Sequence, residues 1–394
     1  MSRILIISDR GGRDGAEQIN HALALGLHAA GFEVQVAQPW ADHDLIDTRV
    51  AHGIGHCWLP AEDLYDPRRP APSLTDPGAA LACFAACQPD LVLFADSFPF
   101  ASLAAKQAAA MLGLPYLVLV HCVTLTWAAQ YREYLPALAA GYAGAASVIA
   151  VSAENLALLR AHFGLSPRRG LVIHNGRPPA FFAPCDARAR ARERAALGIP
   201  DAAVVALSIG RLELVKGWTD LLAALPLLRR CPHWPRLHLV WVGNGTLAAR
   251  LERMALSLGR GQVHLLPPRG EVPALLDAAD LLVHPARFEG MPLVVLEAMA
   301  RGVPIIATRV SGIPEALGDA GCLLDPPAVV GAGPFAGLLA TAICDLAGDP
   351  LARARIGAAA QARAAAAFTE ARMVADWVIL VRDTLAATGS VGPI

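Results

Sequence analysis

The sequence is poor in lysine, in long apolar runs and in closely paired cysteines, and each shortage removes a class of function. Only Lys106 and Lys216 are lysines among 33 basic residues, so ordinary surface positions have gone over to arginine and a retained lysine carries information. Against 34 acidic residues the net charge is −1, which gives no electrostatic case for nucleic acid. No apolar run approaches the ~20 residues needed to span a bilayer. The first one, residues 4–7, is too short for a signal-peptide core, and the expectation is a soluble, cytoplasmic protein. The eight cysteines hold no C-x-x-C pair, a pattern that suits reduced, mostly buried thiols better than a disulfide framework or a zinc site. The G-x-G-x-x-G fingerprint is missing, and Val36-Ala37-Gln38 ends the second expected strand without an acid for a ribose, so a nicotinamide oxidoreductase is disfavoured. Asp42-His43-Asp44 is a D-x-D triplet without transferase context around it. It reads as a solvated loop, and no catalytic metal is implied.

What is present is alternation. A chain of 394 residues, 55% hydrophobic, suggests two domains at ~100–200 residues each. Short β-branched or leucine-rich runs alternate with helical stretches, the pattern of parallel α/β sheets. Strands are expected at residues 3–8, 33–37, 90–94, 116–120, 147–151 and 171–174, with helices such as 17–30 and 152–163, the latter capped by Ser152. Residues 51–77, rich in Pro and Asp, read as a long irregular excursion. Trp127, Tyr131 and Tyr134 read as a buried stripe along one helix, an acceptor platform or membrane edge being the alternative. Arg177-Pro178-Pro179 cannot continue a regular element, which sets the boundary between domains at 1–177 and 178–367. Residues 187–196 are arginine-rich and read as a solvated helix. A second series follows, with strands at 203–208, 237–242, 263–265, 281–284 and 304–308 and helices at 218–229, 246–258, 272–278 and 293–301. Residues 351–387 read as helical with a break at Phe368-Thr369. Doubly wound sheets bind ligands at the carboxyl ends of their strands, so two such units facing each other would make one deep cleft.

The densest chemistry runs from Arg287 to Pro304. A strand ends at His284, a turn carries Phe288-Glu289-Gly290-Met291, and Pro292 is placed to open a helix beginning near Leu293. Amides at that helix start, with the positive dipole end, suit hydroxyl oxygens or an anion. Glu289 lies in the turn and Glu297 a turn into the helix, so they can reach different parts of one extended ligand. Arg211 and Lys216 follow another strand end, where a forked donor and a point charge could hold a pyrophosphate.

These stretches resemble the retaining GT-B glycosyltransferases of family 4 (glycosyl transferases group 1). Glu289 to Glu297 is similar to their E-x7-E signature, and Gly210-Arg211-Leu212 with Lys216-Gly217 to their G-R-L-x-x-x-K-G element. Val242-Gly243-Asn244-Gly245, Ser311-Gly312-Ile313-Pro314-Glu315 and Gly321 to Pro326 complete the set, with Ser311 where glycine is usual. The resemblance implies two Rossmann-like domains facing across a cleft, with residues 368–394 forming a helix that returns to the first. It implies a nucleotide-sugar donor (UDP- or GDP-sugar) and a hydroxyl acceptor, no cofactor, hexosyl transfer with retention, and contact with the inner face of a membrane as an option. Arg211 and Lys216 would hold the donor diphosphate, Glu297 the ribose, and Glu289 with the amides of Gly290 and Met291 the sugar. Pro292 and Leu293 would line the donor, and Arg269, in the loop 267–271, would lie near the base.

In the first half, Asp9-Arg10-Gly11-Gly12-Arg13-Asp14-Gly15-Ala16-Glu17 is a flexible, helix-initiating loop whose glycines admit a close oxygen-rich ligand. The family's loop often reads G-G-A-E; here Asp14 replaces its first glycine and Gly15 remains. His121 follows a strand, where a lone histidine is commonly structural; the resemblance makes it a donor-sugar contact near the reacting centre. Asn175, in His174-Asn175-Gly176, reads as a turn residue with a secondary donor-side role. A GT-B nucleotide-sugar epimerase and a noncatalytic nucleotide-sugar-binding module remain the alternatives, and nothing in the sequence sets an oligomeric state.

Overall fold

The computed structural model describes residues 1–61, 72–259 and 261–389. The chain divides into two compact units, Met1–Gly176 with the C-terminal helix Glu370–Gly389, and Arg177–Thr369.

The first unit holds seven parallel strands: β1 (Arg3–Ser8), β2 (Glu33–Pro39), β3 (Gly55–Leu59), β4 (Leu91–Asp96), β5 (Tyr116–Val120), β6 (Ser147–Ala150) and β7 (Leu171–Val172). Their order is β3-β2-β1-β4-β5-β6-β7. Leu91, Val92, Leu93 and Phe94 of β4 are wholly buried, as a central parallel strand covered on both faces requires. The helix Gly15–Ala29 packs against the C-terminal helix Glu370–Gly389, so the returning tail is a feature of the fold. Gly26 permits that contact, since a Cβ there would meet Val374 at 2.5 Å.

The second unit holds six parallel strands: β8 (Val204–Ile209), β9 (Leu237–Val242), β10 (Val263–Leu266), β11 (Leu281–His284), β12 (Ile305–Thr308) and β13 (Cys322–Leu324), in the order β10-β9-β8-β11-β12-β13. Trp218 and Trp241 meet edge-to-face in its core, centroids 6.0 Å apart. Both sheets reverse strand order beside their first strand, between β1 and β4 and between β8 and β11, the points where open α/β sheets bind their ligands.

Several expectations need correction. Residues 51–77 are not simply irregular: β3 lies there, an edge strand whose sequence, Gly-His-Cys-Trp-Leu, lacks the β-branched run that marks strands. Residues 62–71 of that stretch lie outside the described residues. The helix Ala187–Ala196 is not solvated all round. Arg194 is 1% exposed, donating to the carbonyls of Ala278, Asp201 and Ala203 and pairing with Asp280 at 2.7 Å. The cysteines are not all reduced: Cys231 and Cys344 form a disulfide across 113 residues, a proximity that linear spacing cannot reveal. Strand β13 and the helix Ala332–Gly348 were not expected. The aromatic stripe spans two elements, the helix Leu125–Gln130 and a 3-10 turn at Arg132–Tyr134, with Tyr131 buried between them. Among the described residues no single helix is long and apolar enough to cross a membrane; Ala332–Gly348 and Pro350–Ala367 pass by length and composition only as a pair bent by 102°.

Candidate active site

In the second unit, β8 delivers Gly210 and Arg211 to the strand end, and Leu212 N–H donates to the Asn244 carbonyl at 2.8 Å. Glu213 accepts from Thr246 N–H at 2.9 Å and from its hydroxyl at 2.6 Å, tying the loops after β8 and β9 together. A single 3-10 turn, Leu214–Lys216, then presents Lys216. Gly217 closes the turn at φ 76°, and a Cβ there would lie 1.9 Å from the Pro285 carbonyl oxygen, so only glycine lets this loop approach the one after β11.

Lys216 ion-pairs with Glu289 Oε1, and His284 Nε2 lies 2.9 Å from the same oxygen. Burial opposes the charge on Glu289, yet the Lys216 ammonium and the His284 ring outweigh it and hold the carboxyl at about 2. Glu289 N–H donates to Ser311 Oγ at 3.1 Å, and Gly312 N–H to the Gly290 carbonyl at 2.9 Å. Ser311 takes φ 52°, a conformation glycine would adopt without strain, so the serine retains a strained backbone together with a side-chain contact to the glutamate loop. Arg287, beside Phe288, forks onto Asp220 at 2.8 and 2.9 Å and anchors the loop to the helix Trp218–Leu228.

The helix Leu293–Ala300 starts where expected, with Pro292 in extended backbone as its N-cap and no side-chain cap. Met291 and Leu293 are buried. Glu297 points to Arg177, Nη2 to Oε1 at 2.8 Å, and the Arg177 guanidinium lies 4.7 Å from the Phe181 ring centroid. Burial raises the Glu297 carboxyl, and Arg177 offsets this only in part. Arg211 is exposed on the β8 loop, its carbonyl accepting from Trp218 Nε1 at 2.7 Å. Arg269 is bound 2.7 Å from Glu193. The structure thus brings Lys216 and Glu289 together, sets Arg211 on the same loop as Lys216, and engages Glu297 and Arg269 with other partners.

In the first unit, Asp14 caps the helix Gly15–Ala29 by accepting from Glu17 N–H at 3.2 Å, which accounts for an aspartate where glycine is usual. His121 stands just past β5, its N–H donating to the Asp96 carbonyl at 2.9 Å and its Nε2 lying 2.9 Å from Asn20 Oδ1. Burial lowers its pKa to about 4, so the ring is neutral at physiological pH. Asn175 is buried in this unit, next to Gly176, whose N–H meets Met373 Sδ at 3.2 Å. The D-x-D triplet is not all loop, since Asp44 opens the helix Asp44–Ala51 with His43 as its N-cap; His43 bonds the Gly11 carbonyl and Asp44 pairs with Arg13, and among the described residues no three His, Cys, Asp or Glu side chains are grouped to hold a metal.

Sequence reasoning missed His284, Arg177 and Asn20. His284 had been a strand end and Arg177 a boundary marker. Their chemistry is visible only once the turn folds five residues back and the helix brings residue 297 to residue 177.

Two doubly wound parallel units, with charge concentrated at the second sheet's switch point, define an α/β protein of GT-B type. Family models agree: Glycosyltransferase Family 4 matches residues 13–181 and Glycosyl transferases group 1 matches residues 189–363. The chain belongs to this glycosyltransferase family. It is 36% identical over 190 residues to a D-inositol 3-phosphate glycosyltransferase of Corynebacterium efficiens, covering 46% of this chain and 45% of that protein. It is 40% identical over 192 residues to a GDP-mannose-dependent alpha-(1-6)-phosphatidylinositol monomannoside mannosyltransferase of Mycolicibacterium smegmatis, covering 45% and 47%. The chain spans about half the length of the curated relatives it matches. In fold it is similar to Anabaena Alr3699/HepE in complex with UDP, at a TM-score of 0.79 and 22% identity over 97% of this chain and 100% of that one.

Proposed function

We propose that this chain transfers a hexosyl group from a nucleoside diphosphate sugar to an acceptor hydroxyl, with retention at the anomeric carbon. The observation that carries the reading is the meeting of Lys216, from the loop after β8, with Glu289, from the loop after β11, at the sheet's switch point. Lys216 and Arg211 stabilise the diphosphate as the bond from the anomeric carbon to the phosphate oxygen breaks, the largest electrostatic contribution in such a step. The acceptor oxygen bonds to the same face of that carbon, and its proton passes to the departing phosphate. Glu289, kept ionised, accepts from sugar hydroxyls, and Glu297 accepts from the ribose. Gly15, Asn175 and His121 serve from the first unit, Gly290, Met291, Pro292 and Leu293 from the glutamate loop, and Arg269 near the base.

The two curated relatives are named for D-inositol 3-phosphate and for a phosphatidylinositol mannoside, and one for GDP-mannose. That supports a polyol or lipid-linked acceptor and, with the UDP-bound Anabaena protein, a UDP- or GDP-sugar donor. A lipid acceptor would place the protein peripherally at the inner face of the membrane. The test is a thermal-shift panel of UDP-, GDP-, ADP- and dTDP-sugars followed by turnover. UDP- or GDP-sugars should stabilise the wild type, and Lys216→Ala and Glu297→Ala should weaken the shift. Unchanged donor affinity and turnover in both variants would overturn the reading.

A further inference from the structure

Beneath His121 lies a buried polar chain to which the donor-site reading gives no task. Arg49, wholly buried, donates from Nη1 to Glu17 Oε1 at 2.8 Å and from Nη2 to Gln38 Oε1 at 2.6 Å. Glu17 is also buried, and Ser8 Oγ and Asn20 Nδ2 approach its other oxygen at 3.2 and 3.5 Å. Asn20 Nδ2 further donates to Ser8 Oγ at 3.1 Å, which also accepts from Arg10 N–H at the same distance. His121 stands at the end of this chain, through Asn20 Oδ1.

The order of donors and acceptors is fixed by charge. Burial pushes the Glu17 carboxyl up to about 7 while the Arg49 guanidinium on its Oε1 pulls the other way, so above that pH the two form a buried ion pair. An ionised carboxylate only accepts, so Asn20 must turn its NH2 towards Glu17 and Ser8 and its carbonyl oxygen towards the histidine. That oxygen in turn requires a proton on His121 Nε2, leaving Nδ1 as the ring's acceptor. The backbone is pinned as well, with His121 N–H on the Asp96 carbonyl and Asn155 Nδ2 at 3.4 Å from the His121 carbonyl.

We propose that Asn20, oriented by the Glu17–Arg49 pair, is the positioning residue of His121, holding the neutral ring in its Nε2–H tautomer so that Nδ1 accepts a hydroxyl of the substrate. This rests on the reading that His121 contacts the reacting sugar. The group His121 receives is therefore a hydroxyl donor and not a phosphate oxygen.

The experiment is a long-range proton–nitrogen spectrum of imidazole-labelled full-length protein, with the His121 signal assigned by its loss in His121→Asn. The wild type should show the Nε2–H pattern. Asn20→Leu should shift it towards Nδ1–H and lower kcat on the order of tenfold with little change in donor KM, as loss of orientation without loss of binding does. Asn20→Asp, which keeps an acceptor, should restore the Nε2–H pattern. A wild-type Nδ1–H ring, an unchanged tautomer in Asn20→Leu, or a changed tautomer with unchanged kcat would each overturn the proposal. Should Asn20→Leu fail to fold, the wild-type spectrum and Asn20→Asp still decide it. A wild type with the expected spectra but no sugar transfer would sink the transferase reading and leave the ring's arrangement standing.

Discussion

The chain's only two lysines pair with acids at corresponding strand ends of its two sheets and do different work. Lys106 pairs with Asp96 at the end of β4, and Lys216 pairs with Glu289 just past β11; each of those strands adjoins its sheet's first strand. In the first sheet both partners are 0% exposed; in the second the lysine side chain is 19% exposed and the glutamate 9%. Burial pushes Asp96 up to about 7 despite Lys106, with the neighbouring charge of Asp9 adding to the rise. Glu289, with His284 in place of a second acid, is held at about 2. An ion pair at a switch point is therefore not by itself a ligand site. What separates the two is access and the chemistry of the third group, a second acid beside Asp96 and an imidazole beside Glu289.

The largest expected effect breaks the comparison at its centre. Lys216→Ala should lower kcat about 100- to 1,000-fold, the usual cost of removing one donor that stabilises a developing anion. Lys106→Met should cost stability, as breaking a buried pair does, while folded protein keeps its donor affinity. Steady-state kinetics with calorimetric donor titration checks both. Equal losses of donor affinity in the two variants would show that the pairs are not distinct.

Acid titration should separate the partners by sign. The folded carboxyl of Glu289 lies below its ordinary value of 4.5, so its contribution is present above pH 4.5 and is lost as pH falls through about 2. The shift corresponds to about 3 kcal/mol, and Glu289→Gln should flatten that acid limb. Asp96 lies above its ordinary 3.8, so its contribution is full below that pH and is lost as pH rises through about 7. Asp96→Asn should flatten the neutral limb instead. Urea unfolding across pH 2.5–8 would read both limbs, and parallel slopes in the two variants would remove the distinction.

A smaller effect sharpens the picture within the second unit. Glu297→Gln removes a charged acceptor and should weaken donor binding about tenfold with kcat little changed, since a ribose contact is made equally in ground and transition states. Arg177→Met should act in the same direction by letting burial neutralise Glu297. Isothermal titration with the donor at pH 6 and pH 8 checks this. A kcat loss without an affinity loss would move Glu297 from binding to chemistry.

Much of this was legible in the sequence, for physical reasons. Periodicity reports burial on both faces, so β1, β5, β9 and β11 stand where their apolar runs lie, and the two-sheet GT-B fold follows from the alternation and the motif order. The edge strand β3, half polar and carrying Trp58 at 47% exposure, has no such run to read. Glu289 and Lys216 were visible because local turn chemistry surrounds each of them. Asn20, Arg49 and Arg177 were not, because their meaning comes from partners brought near by packing and not by spacing. The arginine-rich helix misled for the same reason: composition predicted solvent, whereas Arg190 and Arg194 close around Asp280, at the start of β11.

Least of all should turnover respond to the Cys231–Cys344 bond. Cys231 follows the helix Trp218–Leu228 and Cys344 lies in the helix Ala332–Gly348, two helices that pack on each other in the core around Trp218 and Trp241. Neither cysteine touches the Lys216–Glu289–His284 group, whose shape is set by the loops after β8, β11 and β12. A cross-link closing so long a loop acts chiefly on the unfolded chain. Mild reduction should therefore lower the unfolding temperature and leave kcat and donor affinity unchanged. Thiol titration of unfolded, unreduced protein should find six free cysteines. Eight would mean that the two helices hold each other by packing alone, and a fall in kcat on reduction would show that the helix pair supports the charged rim more directly than its contacts indicate.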